Sequence, residues 1–151
     1  MVSAKVVSLQ LHRERGTRPM SVNAVVGRVG GGVEGDSHVA KATRAVLVVD
    51  RSTLDDLGLA PGDLREQITI EGVRDVTTLS PGTRVRVGGL TLQVNGPCAP
   101  CTHIGELLEV DDPEVFRLSL EGRRGAACTV VEVSGFARIG DRVEILAPVT
   151  A

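Results

Sequence analysis

Hydrophobic and polar positions alternate most clearly between residues 83 and 94. Thr83, Val85 and Val87 stand before Gly88-Gly89, and Leu90, Leu92 and Val94 follow it. A period of two is that of a strand with one buried face, and a two-residue glycine turn joins two such strands into a hairpin. In that register Val87 faces Leu90 and Val85 faces Leu92, so both pairs point to the same side. Further strands are predicted at Lys5 to Leu9, Ala24 to Arg28, Ala45 to Asp50, Gln67 to Ile70, Ala127 to Val133 and Arg142 to Leu146. Turn signals at Pro61-Gly62, Pro81-Gly82 and Gly140-Asp141 separate several of them. Helical patterning is scarce. Ser52 to Leu57 fits one short helix, and Pro113 to Leu120 fits another, with Asp112 as N-cap, Pro113 at the first helical position and Gly122 at the exit. Pro100 and Gly105 argue against a helix after the cysteine-rich loop. Many short strands with few helices predict a mostly β (α+β) chain built as a barrel or sandwich. No repeat, linker or low-complexity tract divides residues 1–151, so one domain is expected throughout.

Composition narrows the chemistry. A chain of 151 residues buries enough surface to fold without disulfides or a structural metal, so thiol chemistry points to function rather than stapling. The 17 basic and 19 acidic residues leave a net charge of -2, which provides no global field for a polyanion. With no Trp or Tyr, and only Phe116 and Phe136, there is no aromatic platform for stacking bases. Nucleic acid is therefore not an expected partner. The longest apolar run, Ala45 to Val49, falls far short of the ~20 residues that span a bilayer, so no membrane is expected. Three cysteines without a secretory pattern at the start fit a reducing cytoplasm.

The richest stretch is Gly96-Pro97-Cys98-Ala99-Pro100-Cys101-Thr102-His103, directly after the hairpin. A thiol in a Pro-braced loop at a strand end is held by the sheet yet left reachable. Zinc is one reading, with Cys98, Cys101 and His103 as ligands and Cys128 as a distant fourth, but the second ligand pair of a structural site is absent. Dithiol redox through C-x-x-C is another, outside its usual βαβ setting. A single reactive thiolate that carries sulfur or binds a soft metal such as molybdenum asks least of the sequence. Three further clusters carry polar groups: Gly35-Asp36-Ser37-His38, Leu64-Arg65-Glu66-Gln67 and Arg123-Arg124-Gly125.

In their order and intervening residues, these clusters make the chain resemble the MOSC domain, named after the C-terminal domain of molybdenum-cofactor sulfurases. The resemblance is carried by residues 33–38 (VEGDSH), 59–73 (LAPGDLREQITIEGV), 81–88 (PGTRVRVG), Pro100-Cys101, Arg124-Gly125 and 138–141 (RIGD), and it spans roughly residues 5 to 146. It implies a β-barrel of the pyruvate-kinase type and marks Cys101 as the functional thiol, a candidate catalytic residue and molybdenum ligand. Asp36, His38, Arg65, Glu66, Gln67 and Arg124 are the implied cofactor-binding residues. His38, Arg65 and Arg124 would meet the pterin phosphate or oxo groups, with Asp36 and Glu66 orienting them. Cys98 falls where many members carry Arg, and Gln67 where Asn is common. The implied cofactor is the molybdenum cofactor (molybdopterin). Pyridoxal phosphate would belong to a partner, a cysteine desulfurase-type sulfur donor, and an electron-donor protein is the alternative partner. Three functions stay open: cofactor binding or persulfide carriage through Cys101, a molybdenum-dependent reductase of N-hydroxylated compounds, or a barrel that binds only an anionic small molecule or a partner. Cys128, in a Val-rich strand, is expected to matter for stability alone.

Overall fold

A computed structural model describes residues 4–14 and 17–146; residues 1–3, 15–16 and 147–151, which the reading of one domain over 1–151 included, lie outside the described residues. The strands are β1 (Lys5–Leu11), β2 (Met20–Val22), β3 (Ala24–Val25), β4 (Val46–Asp50), β5 (Ile68–Glu71), β6 (Arg84–Val87), β7 (Leu90–Pro97), β8 (Ala126–Val133), β9 (Ala137–Arg138) and β10 (Val143–Leu146). The helices are α1 (Arg51–Leu57), α2 (Thr102–Leu107) and α3 (Pro113–Ser119).

Eight strands form one sheet in the order β10-β6-β7-β8-β4-β5-β1-β2, while β3 and β9 pair separately. The expected hairpin forms in the expected register, with Val87 opposite Leu90 and Val85 opposite Leu92. All four side chains are buried. The strand-rich reading with a few short helices holds, but the closed barrel does not: the sheet is open and mixed. The reason lies in β1, whose outer edge is divided between two neighbours. Leu9 to Leu11 pair with β2. The start of β1 meets the turn before β10 instead, through a bridge from Lys5 to Arg142 and bonds of 2.9 Å from Val6 N to Asp141 O and from Gly140 N to Val6 O. The two ends of the sheet thus touch without sharing a ladder.

The mixed character comes from β4 and β5, which run parallel and are joined through α1. All five residues of β4 are buried, as a strand covered on both faces requires. Val46 and Val48 enter the main core with Leu9, Ile68, Leu92 and Val130. Leu47 and Val49 point the other way, into a second cluster with Leu54, Leu64, Cys98, Ile104 and Leu120. That second cluster lies where the helices cover the sheet.

Asp50 caps α1 by accepting from Thr53 N at 3.0 Å, and Asp112 caps α3 by accepting from Glu114 N at 3.1 Å. Both expected helices are present. So is α2, where none was expected. Pro100 precedes the helix and costs it no hydrogen bond. Gly105 sits inside α2 because α3 passes so close: a Cβ there would meet Pro113 Cα at 3.1 Å and Val110 Cγ2 at 3.0 Å. The strand expected over Ala24 to Arg28 shortens to Ala24–Val25, followed by a single bridge from Gly27 to Val33.

Candidate functional site

Strand β7 ends at Pro97, and the next residue is pinned by a 2.9 Å bond from Cys98 N to Gly125 O. Cys98 turns inward and is 4% exposed, packed in the second hydrophobic cluster. Three residues on, Cys101 is the N-cap residue of α2 and is only half-buried. Its sulfur accepts a contact from Arg124 Nη1 at 3.6 Å. The same nitrogen donates to Ala99 O at 2.6 Å. Arg124 itself is 3% exposed, and its Nε has no hydrogen-bond partner among the described residues. The guanidinium is held in place by its neighbour: Gly125 has φ 99°, and a Cβ there would lie 2.5 Å from Val48 O. Only glycine lets the loop before β8 press this closely on β4.

Cys101 and Arg124 open onto a cavity of about 520 Å³. Of the residues expected from sequence, His38, Arg65, Gln67, Cys101 and Arg124 line it together. Lys41, Arg44 and His103 line it as well, and no carboxylate does among the described residues. Asp36 and Glu66 lie behind this wall. Asp36 Oδ1 accepts from His12 N at 2.7 Å; its Oδ2 accepts from His38 N at 2.8 Å and from Gln67 Nε2 at 3.1 Å, and lies 3.3 Å from His38 Nδ1. Burial pushes its pKa up, but these bonds from His38 and His12 outweigh burial and hold the carboxyl below its ordinary range. Gln67 is fixed at both ends, because its Oε1 also accepts from Leu47 N at 2.7 Å. Glu66 is fully buried and accepts from Leu64 N at 3.2 Å and Thr69 Oγ1 at 3.0 Å. Burial raises its pKa against those bonds. It shapes the loop that carries Arg65 rather than the cavity surface.

Arg65 has φ 65°, an unusual conformation for a residue with a side chain, and donates from Nη1 to Thr17 O at 2.5 Å. Burial lowers its pKa, the pull of Asp36 opposes this, and repulsion from Arg124 adds to it. Sequence reasoning missed His12, which is buried behind Asp36. Its Nε2 donates to Glu66 O at 3.0 Å, since a carbonyl can only accept, and its Nδ1 finds no partner among the described residues. Burial lowers its pKa. Lys41 and Arg44 were also missed; their signal was a pair of basic residues shortly after the Gly-Asp-Ser-His turn, in the segment leading to β4.

The remaining thiols do not join Cys101 in a metal site. Cys128 lies opposite Val94 inside the main core, where burial pushes its thiol up to about 12. All three cysteines are free. Among the described residues no three His, Cys, Asp or Glu gather closely enough to hold a metal, so the zinc ligand set is not assembled. None of the described helices is long and apolar enough to cross a membrane.

The chain is thus an open, mixed β sheet protein that presents one half-buried thiol to a cation-lined cavity. The MOSC domain model matches residues 31–144, and the chain belongs to that family. Its fold is similar to that of the YuaD protein from Bacillus subtilis, with a TM-score of 0.82 and 21% identity over 95% of this chain and 96% of that one. It is also similar to YiiM from Geobacillus stearothermophilus (TM-score 0.71, 17% identity, 95% of this chain and 75% of that one). YiiM from Escherichia coli gives a TM-score of 0.66 at 17% identity, over 97% of this chain and 72% of that one. These likenesses show the fold. No curated protein matches the chain. The MOSC domain occurs in molybdenum-cofactor sulfurase-like proteins, and the family places this chain's general role with that cofactor.

Proposed function

We propose that the cavity receives the molybdenum cofactor and that Cys101 is the thiol which carries sulfur for it as a persulfide or ligates its metal. One observation carries this reading: a half-buried thiol and a buried, incompletely bonded arginine 3.6 Å apart face a cavity lined by cations. A cavity of about 520 Å³ is of the size that holds a cofactor-sized ligand. The orphaned Arg124 Nε and a lining without carboxylates among the described residues fit a ligand with phosphate and oxo groups. Arg65, Arg124, Lys41 and Arg44 would hold those groups, and His38, braced by Asp36, would add a donor or acceptor. The cofactor, when bound, supplies the molybdenum centre; everything else is done by this chain's side chains.

In sulfur carriage the Cys101 thiolate attacks the outer sulfur of a donor persulfide. The donor's sulfur–sulfur bond breaks, the donor leaves as a thiolate, and Cys101 keeps the outer sulfur. A cysteine desulfurase-type protein is the partner suited to that step. Arg124 stabilises the thiolate before attack and the anionic persulfide after it. The test is transfer of radiolabelled sulfur from cysteine and a desulfurase to the purified protein. Label is expected on Cys101 in the wild type and absent from a folded Cys101→Ser variant; label retained by that variant would refute the assignment.

A further inference from the structure

Lys41, Arg44, Arg65 and Arg124 line the Cys101 cavity, and among the described residues none of them takes part in an ion pair. Elsewhere arginines find acids: Arg28 meets Glu34, Arg117 meets Glu114 and Arg123 meets Asp56. Cations gathered without counter-charges repel one another, and withdrawing a guanidinium from water without an anionic partner is costly. Arg124 is 3% exposed and has an unpartnered Nε; the pKa of Arg65 is lowered chiefly by burial, with the pull of Asp36 opposing and repulsion from Arg124 adding to it. The arrangement favours an anion of more than one charge. Arg124 also lies 3.6 Å from Cys101 Sγ, so an anion held by this arginine lies beside the nucleophile. Sulfate or phosphate would use the cations and leave the thiol idle. An anion that joins an electrophilic sulfur to an oxyanion uses both.

We infer that the cavity takes thiosulfate, which loads Cys101 with sulfur without any protein donor. This rests on the reading of Cys101 as a sulfur-carrying thiol. The Cys101 thiolate attacks the outer sulfur of thiosulfate, and a new sulfur–sulfur bond forms at Sγ. The original sulfur–sulfur bond breaks, and its electron pair leaves with sulfite. A thiolate and a dianion become a persulfide anion and a dianion, so charge is conserved and no oxidant or reductant is needed. Negative charge grows on the three oxygens as sulfite departs, where Arg124 and Arg65 stabilise it. Cyanide then removes the outer sulfur as thiocyanate and returns the Cys101 thiolate.

The full chain, reduced and then freed of reductant, is incubated with thiosulfate, and its mass, released sulfite and thiocyanate formation are measured. The expected result is a single added sulfur mapped to Cys101, an equal amount of sulfite, and turnover with cyanide. Cys101→Ser is expected to take up no sulfur, and Cys98→Ser to behave as wild type. Prior alkylation of Cys101 in the wild type is expected to block uptake, which keeps the test valid if the serine variant does not fold. Arg44→Gln, at the exposed side of the cavity, is expected to raise KM for thiosulfate about tenfold with a smaller change in kcat, and Arg44→Lys to recover most of it. Loading by a desulfurase with cysteine but not by thiosulfate would overturn this inference and leave the proposed function standing. Loading by neither would overturn this inference together with the reading of Cys101 as a sulfur carrier, and thiosulfate sulfur found on Cys98 or Cys128 would overturn the site.

Discussion

Three thiols of one chain meet three different environments, and their reactivity follows from where each is held. Cys128 is buried among Val, Leu and Ala, and its thiol is pushed up to about 12, so it has no accessible thiolate at neutral pH. Cys128→Ser places a hydroxyl in that apolar core. It is expected to lower stability by roughly 1–3 kcal/mol, read from the urea midpoint, with sulfur acceptance unchanged. Cys98 is equally inaccessible, packed with Leu54, Leu64 and Ile104. Cys101 alone faces the cavity. Behind it, His12 gives the fold a pH dependence of predictable sign. Burial holds its pKa in the folded chain below the ordinary histidine value of 6.5, so below that pH the unfolded chain takes up the proton first. Stability is therefore expected to fall as pH drops from about 6.5 toward the folded value. Asp36 acts in the same sense further down: its depressed pKa contributes stability above about 3.9 that is lost as pH falls through the folded value. His12→Gln is expected to be less stable at neutral pH, yet to show a flatter decline just below pH 6.5, as followed by thermal melts across a pH series.

Elements set by local pattern were legible in the sequence; elements set by a distant partner were not. The hairpin of β6 and β7 could be read to the residue pair because alternation and turn chemistry act over neighbouring positions. The cap Asp112 acts within one turn of its helix, and α3 was located accordingly, whereas α1 was read from Ser52 without its cap Asp50. By contrast β2 and β9 are three and two residues long and exist only through their partners β1 and β3. The helix α2 was hidden by Gly105, whose low helix propensity reads as a breaker although it serves the close packing of α3. Gly125 has the corresponding role at the site. Gly125→Ala would bring a Cβ to 2.5 Å from Val48 O at a φ of 99°. It is expected to cost at least about 2 kcal/mol in chemical denaturation and, by moving Arg124, to slow sulfur uptake by Cys101.

At the scale of the whole molecule, a net charge of -2 conceals a local concentration of positive charge. The cations come from separate stretches of chain: Lys41 and Arg44 before β4, Arg65 before β5 and Arg124 before β8. Chain composition averages over such a gathering, so the convergence of Arg65 and Arg124 was legible only through the family resemblance. That resemblance placed Asp36 and Glu66 among the cofactor-binding residues in an orienting role, and in the fold both lie behind the cavity wall, where Asp36 accepts from Gln67 and Glu66 from Thr69. Sheet closure was equally beyond local pattern, since it depends on which neighbour β1 takes along each half of its edge. The central claim is that Cys101 is the working thiol of an anion-binding cavity. The most direct test is the rate of alkylation of each cysteine at neutral pH, resolved by peptide mass spectrometry, with and without sulfate at constant ionic strength. Cys101 is expected to react first by a wide margin and to be slowed by sulfate. Earlier modification of Cys98 or Cys128, or a Cys101 rate indifferent to sulfate, would contradict the account.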